Sequence, residues 1–194
     1  MLITDVVTMW EKLYWDVEQY QDIQRSHPHE RQPLAFAAIN VCIAAWSLEQ
    51  WARTAWLSNI RNDSRKADGN LFNDFVRQHV PEQAICADIA NTSKHAAYRD
   101  ENWQGGEASL EWEDGDEDMP PTFVLRHVGS AGAAKVSAYE TFDKVRDHWW
   151  SLLIAVGLAA GPMYPPEFMQ NKLRRIFGDW PVEPPSDIHP VTSK

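Results

Sequence analysis

The stretch from about Pro33 to Ser58 constrains this chain more than any other. It is apolar nearly all round, and its tryptophans fall at Trp46, Trp51 and Trp56. Steps of five residues turn by about 140° on a helical wheel, so the three rings point to three sides. A helix of that kind is surrounded by others. The expectation is a bundle with this helix at its centre. Its most apolar part, Leu34 to Trp46, contains Asn40 and is shorter than the roughly 18–20 residues a bilayer span requires. Trp149 to Gly161 is equally short. Both are read as core helices, and no membrane partner is expected.

The flanking sequence supplies the helices that would surround it. Val6, Trp10, Leu13, Val17 and Tyr20 recur at helical spacing, which predicts a helix from Val6 to about Gln24, with Thr8 and Glu11 as a capping box. Ser26-His27-Pro28-His29-Glu30 breaks it. After the central helix, Arg61 to Asp68 reads as a polar loop, and Leu71 to Val80 as a third helix. A fourth starts near Pro81 and runs to about Tyr98. The period then changes. Leu110 to Glu113 alternates, Thr122 to Val128 is β-branched and aromatic, and Lys135-Val136 follows a Gly129-Ser130-Ala131-Gly132 turn, which suggests a meander of two or three strands. Ser137 and Glu140 cap a further helix whose core face is Phe142, Val145, Trp149, Leu152 and Val156, stopped by Gly161-Pro162. A short last helix runs from about Glu167 to Phe177.

The expected fold is therefore mainly α: a bundle of five to six helices with a small antiparallel β meander inserted between the fourth and fifth. Residues 1–180 are read as one domain, with 100–136 as the acidic and β insertion. Residues 181–194 are read as a Pro-rich flexible tail.

Charge divides the chain unevenly. Among 194 residues there are 18 Lys+Arg against 28 Asp+Glu, a net −10. Nine of the acids are Asp100, Glu101, Glu107, Glu111, Glu113, Asp114, Asp116, Glu117 and Asp118, in a stretch without Lys or Arg. The rest of the chain then holds 19 acids against 18 bases, close to neutral. Overall acidity excludes a protein whose whole surface adheres to nucleic acid or anionic lipid. It leaves the acidic insertion as a solvated, partner-facing feature. The two cysteines, Cys42 and Cys86, lie in apolar helical context and read as reduced, buried thiols of a cytoplasmic protein.

Candidate chemistry concentrates on the fourth helix. At about 100° per residue, Asp88, Asn91, His95 and Arg99 fall on one stripe, with Lys94 beside it. An acid, an amide, an imidazole and cations together could move protons and stabilise a phosphate. A helical bundle with Asn91-Thr92-Ser93-Lys94-His95 resembles the HEPN superfamily, which includes many RNA-cleaving toxins and defence nucleases. The resemblance implies a homodimer in which His95, with Asn91 and Lys94 in support, acts in metal-independent RNA cleavage. Ile89 and Ala90 stand where that family's motif arginine is expected, which places in doubt the cleavage itself.

No cofactor or metal is expected. His27-Pro28-His29-Glu30 lacks a partner cluster, and Leu125 stands where a calcium loop beginning at Asp114 would need an acid. No phosphate loop, nucleophile elbow, paired-cysteine pattern or His-Glu-x-x-His occurs. Two functional expectations follow, and they leave open whether the protein is an enzyme. The first is a non-enzymatic protein-interaction module that binds a protein partner or a second copy through the acidic insertion, with Asp88, Arg99, Glu113, Asp114, Asp116, Glu117 and Asp118 as binding residues. The alternative is a HEPN-like protein acting on RNA or a nucleotide, centred on His95.

Overall fold

The structure, a computed structural model, describes residues 3–59, 65–94, 107–117, 120–129 and 132–178. Among the described residues the chain forms six helices and three strands: α1 (Val6–Ser26), α2 (Arg31–Asn59), α3 (Arg65–His79), α4 (Gln83–Lys94), β1 (Glu107–Glu113), β2 (Thr122–Gly129), β3 (Gly132–Ser137), α5 (Ala138–Ala155) and α6 (Glu167–Phe177). The strands form one antiparallel sheet in the order β1-β2-β3, between the fourth and fifth helices as expected. Two compact units result, Met1–Pro162 and Met163–Lys194.

In the first unit α2 is the central helix, touching α1, α3, α4 and α5. By length and composition it is apolar enough to cross a membrane. The bundle uses that apolarity internally: Leu34, Ala38, Val41, Cys42, Ala45, Leu48 and Ala52 are fully enclosed. α1 contributes Trp10, Leu13, Val17 and Tyr20, and α5 contributes Phe142, Val145, Trp149 and Leu152, the residues that helical spacing had selected. Ring packing joins the two helices, with Trp10 against Trp150 at 4.4 Å and Tyr20 edge-on to Phe142 at 5.0 Å. Trp56 of α2 meets Phe72 and Phe75 of α3.

Three boundaries differ from the sequence reading, each for a local reason. α1 is capped at Asp5 rather than Thr8: Asp5 Oδ1 accepts from the Thr8 N–H at 2.8 Å, and Thr8 Oγ1 accepts from the Asp5 N–H at 3.1 Å. α3 begins at Arg65, inside the stretch read as a loop, and contains Gly69. A Cβ there would lie 2.7 Å from the Arg53 guanidinium, so this glycine lets the α2 arginine pass close to the α3 backbone. α5 stops at Ala155, before Gly161-Pro162. The chain turns over Gly157 at φ +73, and the Leu158 and Ala159 N–H groups bond back to the Leu153 carbonyl.

Two glutamines fix how the sheet and α4 sit on this core. Gln83 is buried at the start of α4. Its amide donates to Glu49 Oε2 at 2.7 Å and to the Ala45 carbonyl at 3.3 Å, and its oxygen accepts from Trp149 Nε1 at 2.8 Å. One side chain thus ties α2, α4 and α5 together. Gln24, buried in the last turn of α1, donates to the Pro121 carbonyl at 2.6 Å and accepts from the Thr122 hydroxyl at 3.2 Å, which pins the start of β2.

Candidate functional site

The sheet presents two chemically different faces because successive strand residues alternate. Leu110 pairs with Leu125 and Trp112 with Phe123. Phe123 and Leu125 are buried against the helices, and Trp112 stacks edge-on to Phe123 at 5.1 Å. His127 has the same parity as Phe123 and Leu125, so it too points inward. The opposite parity, Glu111, Glu113, Arg126 and Lys135, forms the outward face.

On the inward face His127 meets the polar stripe of α4. Its Nε2 is 3.6 Å from Oδ2 of Asp88, a carboxylate that is only 7% exposed. Asp88, expected as a binding residue, is thus turned into the junction between α4 and β2. Asn91 is partly buried one turn later, and the neighbouring Ser93 hydroxyl bonds back to the Ile89 carbonyl. Lys94 closes α4, and its side chain lies outside what the structure describes. His95, Arg99 and Asp118 likewise lie outside the described residues.

A second imidazole–carboxylate pair stands nearby. His148 Nδ1 of α5 is 2.8 Å from Oε2 of Glu82, just ahead of α4. One member of each pair, His127 and Glu82, lines a cleft of about 440 Å³, with Ile85, Val136, Glu140 and Lys144 also in its walls. Ser137 also borders it, but the Ser137 oxygen accepts from the Glu140 N–H as the α5 cap. Among the described residues no group of three or more His, Cys, Asp or Glu is placed to hold a metal ion.

Neither His127 nor Glu82 stood out in the sequence. The usable signal for His127 was parity: two and four residues beyond Leu125 and Phe123, it shares their side of the strand. Glu82 and His148 are 66 positions apart, and no local pattern links them.

The outward face carries the acidic segment, and the structure has it partly neutralised. Lys135 Nζ reaches Glu111 at 3.0 Å and Glu113 at 3.3 Å, while Arg126 Nε is 3.6 Å from Glu111. These contacts, Glu111 first, push the Lys135 ammonium above its ordinary range. At the turn beyond β1, the Asp114 carboxylate accepts from Trp112 Nε1 at 2.7 Å and from Arg31 at 2.8 Å, and both hold it below the usual carboxylate range. The Arg31 guanidinium also lies 4.8 Å above the Trp112 ring. Trp112 therefore braces the turn. Residues 113–117 are all exposed. Glu111, Glu113, Asp114, Asp116 and Glu117 against Arg31, Arg126 and Lys135 leave five acids and three bases, a residual −2.

Neither family models, nor curated proteins, nor solved structures give a match to this chain.

Proposed function

We propose that this protein is a non-enzymatic interaction module that offers the turn 113–117 and the outward sheet face to a basic protein surface. The observation that carries the reading is a run of exposed acids carried by a sheet that is packed on the bundle. Glu113, Asp114, Asp116 and Glu117 project from a sheet whose other face is packed on the bundle through Phe123 and Leu125. Gln24 fixes the start of β2, and the Arg31–Trp112–Asp114 cluster braces the chain after β1. Exposed charges of this kind act mainly through complementarity and encounter rate.

The internal pairing narrows what the partner must do. Glu111, Glu113 and Asp114 are engaged by Lys135, Arg126 and Arg31, so an incoming lysine or arginine would compete with these internal cations. The HEPN-like alternative centres on His95, and the described residues add nothing to it: Asp88 is engaged by His127 at the sheet junction.

Capture of copurifying proteins by the tagged full chain tests this, with the variant Glu113→Gln, Asp114→Asn, Asp116→Asn, Glu117→Gln as comparison. We expect a captured partner whose recovery falls with rising salt and is lost in the variant, while the far-ultraviolet circular dichroism stays unchanged. Recovery equal in both forms would refute the proposal.

A further inference from the structure

β3 is an edge strand. It pairs with β2 on one side, and among the described residues no strand pairs with its other side, where residues 133–136 are all exposed. In an antiparallel sheet, every second residue of such a strand turns its N–H and C=O away from its neighbour. β3 therefore presents a row of main-chain donors and acceptors. Native edges of this kind are commonly guarded by a charged side chain, lysine above all. Lys135 carries the only charge on β3, and it leaves the edge unguarded. Its Nζ reaches back across β2 to Glu111 and Glu113 of β1.

The cleft that His127 and Glu82 line runs along this strand. Ala134 to Ser137, four consecutive residues, border it, so its wall includes the main chain of β3 as well as side chains. Ala134 and Val136 pair with His127 and Leu125 and share their inward parity. Ile85 of α4 and Thr141 of α5 are buried residues that also line the cleft. Thr141 is only 5% exposed, yet among the described residues its hydroxyl makes no hydrogen bond. An apolar surface and an unsatisfied hydroxyl thus stand beside an open ladder.

We propose that β3 takes up an extended peptide segment of a partner protein as a fourth strand, with one large side chain of that segment entering the cleft. An extended backbone is the occupant that satisfies a row of alternating donors and acceptors. Its inward positions recur at every second residue, so one of them meets the cleft. Ile85 and Val136 suit an apolar body there, and the Thr141 hydroxyl suits a hydrogen-bonding tip, the combination that tyrosine carries. A second copy of β3 fits less well. It would bring only Ala134 and Val136 to the inward face, too little to fill about 440 Å³. It would also set two chains of net −10 side by side. The edge of β3 is a different surface from the acidic turn, and its occupancy does not depend on the turn having a partner.

The test is selection of a displayed library of random peptides on the full chain, followed by solution affinity measurements with a selected peptide made synthetically. We expect selected sequences to alternate in polarity around a tyrosine-like residue, and the bound peptide to slow amide exchange at residues 133–136. Ala134→Trp, at an exposed position, fills the cleft and should lower the affinity about tenfold or more. Thr141→Val keeps the side chain's shape without its hydroxyl and should lower it about fivefold. Far-ultraviolet circular dichroism should be unchanged in both. The variant Glu113→Gln, Asp114→Asn, Asp116→Asn, Glu117→Gln should bind the peptide as wild type does, which separates this proposal from the preceding one. Failure to select a peptide, selected sequences without alternation, unchanged exchange in β3, or wild-type affinity in both cleft variants would each overturn it. So would self-association of the wild type that Ala134→Trp abolishes, since the edge would then belong to a second copy.

Discussion

Glu49 shows how one half-buried side chain can oppose the fold while its neighbours hold it in place. Burial pushes its carboxyl above the ordinary glutamate range, while Gln83, Arg53 and Arg77 pull it back without cancelling the effect. The folded protein therefore keeps a proton that the unfolded chain has already released. Stability should be fully present below the ordinary glutamate range and fall as pH rises through the raised value. Glu49→Gln keeps an oxygen for the Gln83 amide and removes the titration. Thermal unfolding followed from pH 3 to pH 8 should show the variant matching wild type in acid and surpassing it at neutrality. A constant offset across that range would contradict this account. The residues of the candidate site were legible to a similar, partial degree. Asp88 was recognised as part of a polar stripe on the fourth helix. Its partner His127 was not, because a strand 39 positions later reaches it only once the register of the sheet is fixed.

At the scale of elements, the link between α1 and β2 ties the start of β2 to the bundle. Gln24 is 7% exposed and serves both the Pro121 carbonyl and the Thr122 hydroxyl. Gln24→Ala leaves the Pro121 carbonyl without its donor, a loss of about 1–3 kcal/mol. The loss should be local. Amide hydrogen exchange should speed up at residues 122–125 while α2 keeps its protection, and the partner affinity proposed for the turn should drop. Uniformly faster exchange would mean that the sheet and the helices open as one. The helices themselves were readable from 3–4 periodicity, and the meander from its change to alternation. α3 was cut short in that reading because the polar run Arg65 to Asp68 looked like loop, whereas the helix starts at Arg65 and continues through Gly69. The glycine answers to Arg53 on another helix, which local propensity does not register.

For the whole molecule, the position of α2 makes a strong claim about cooperativity. A helix that touches α1, α3, α4 and α5 cannot expose its centre unless several of them separate. Its apolar circumference announced this in the sequence, since three tryptophans on three sides need neighbours on three sides. Cys42 at that centre and Cys86 on α4 are natural reporters, both fully buried. Burial pushes the Cys42 thiol well up, and contact with Cys86 adds to it, so neither the thiolate nor access for a reagent is present in the folded state. In native buffer both thiols should resist an aromatic disulfide reagent. With denaturant they should react together, and the dependence of the labelling rate on denaturant should match the slope of equilibrium unfolding. Reaction of Cys86 alone, with a shallow dependence, would show α4 leaving the bundle by itself. The Gln83 bridge from α4 to Glu49 and Trp149 argues against that outcome, because separation of α4 would strand buried partners on two other helices at once.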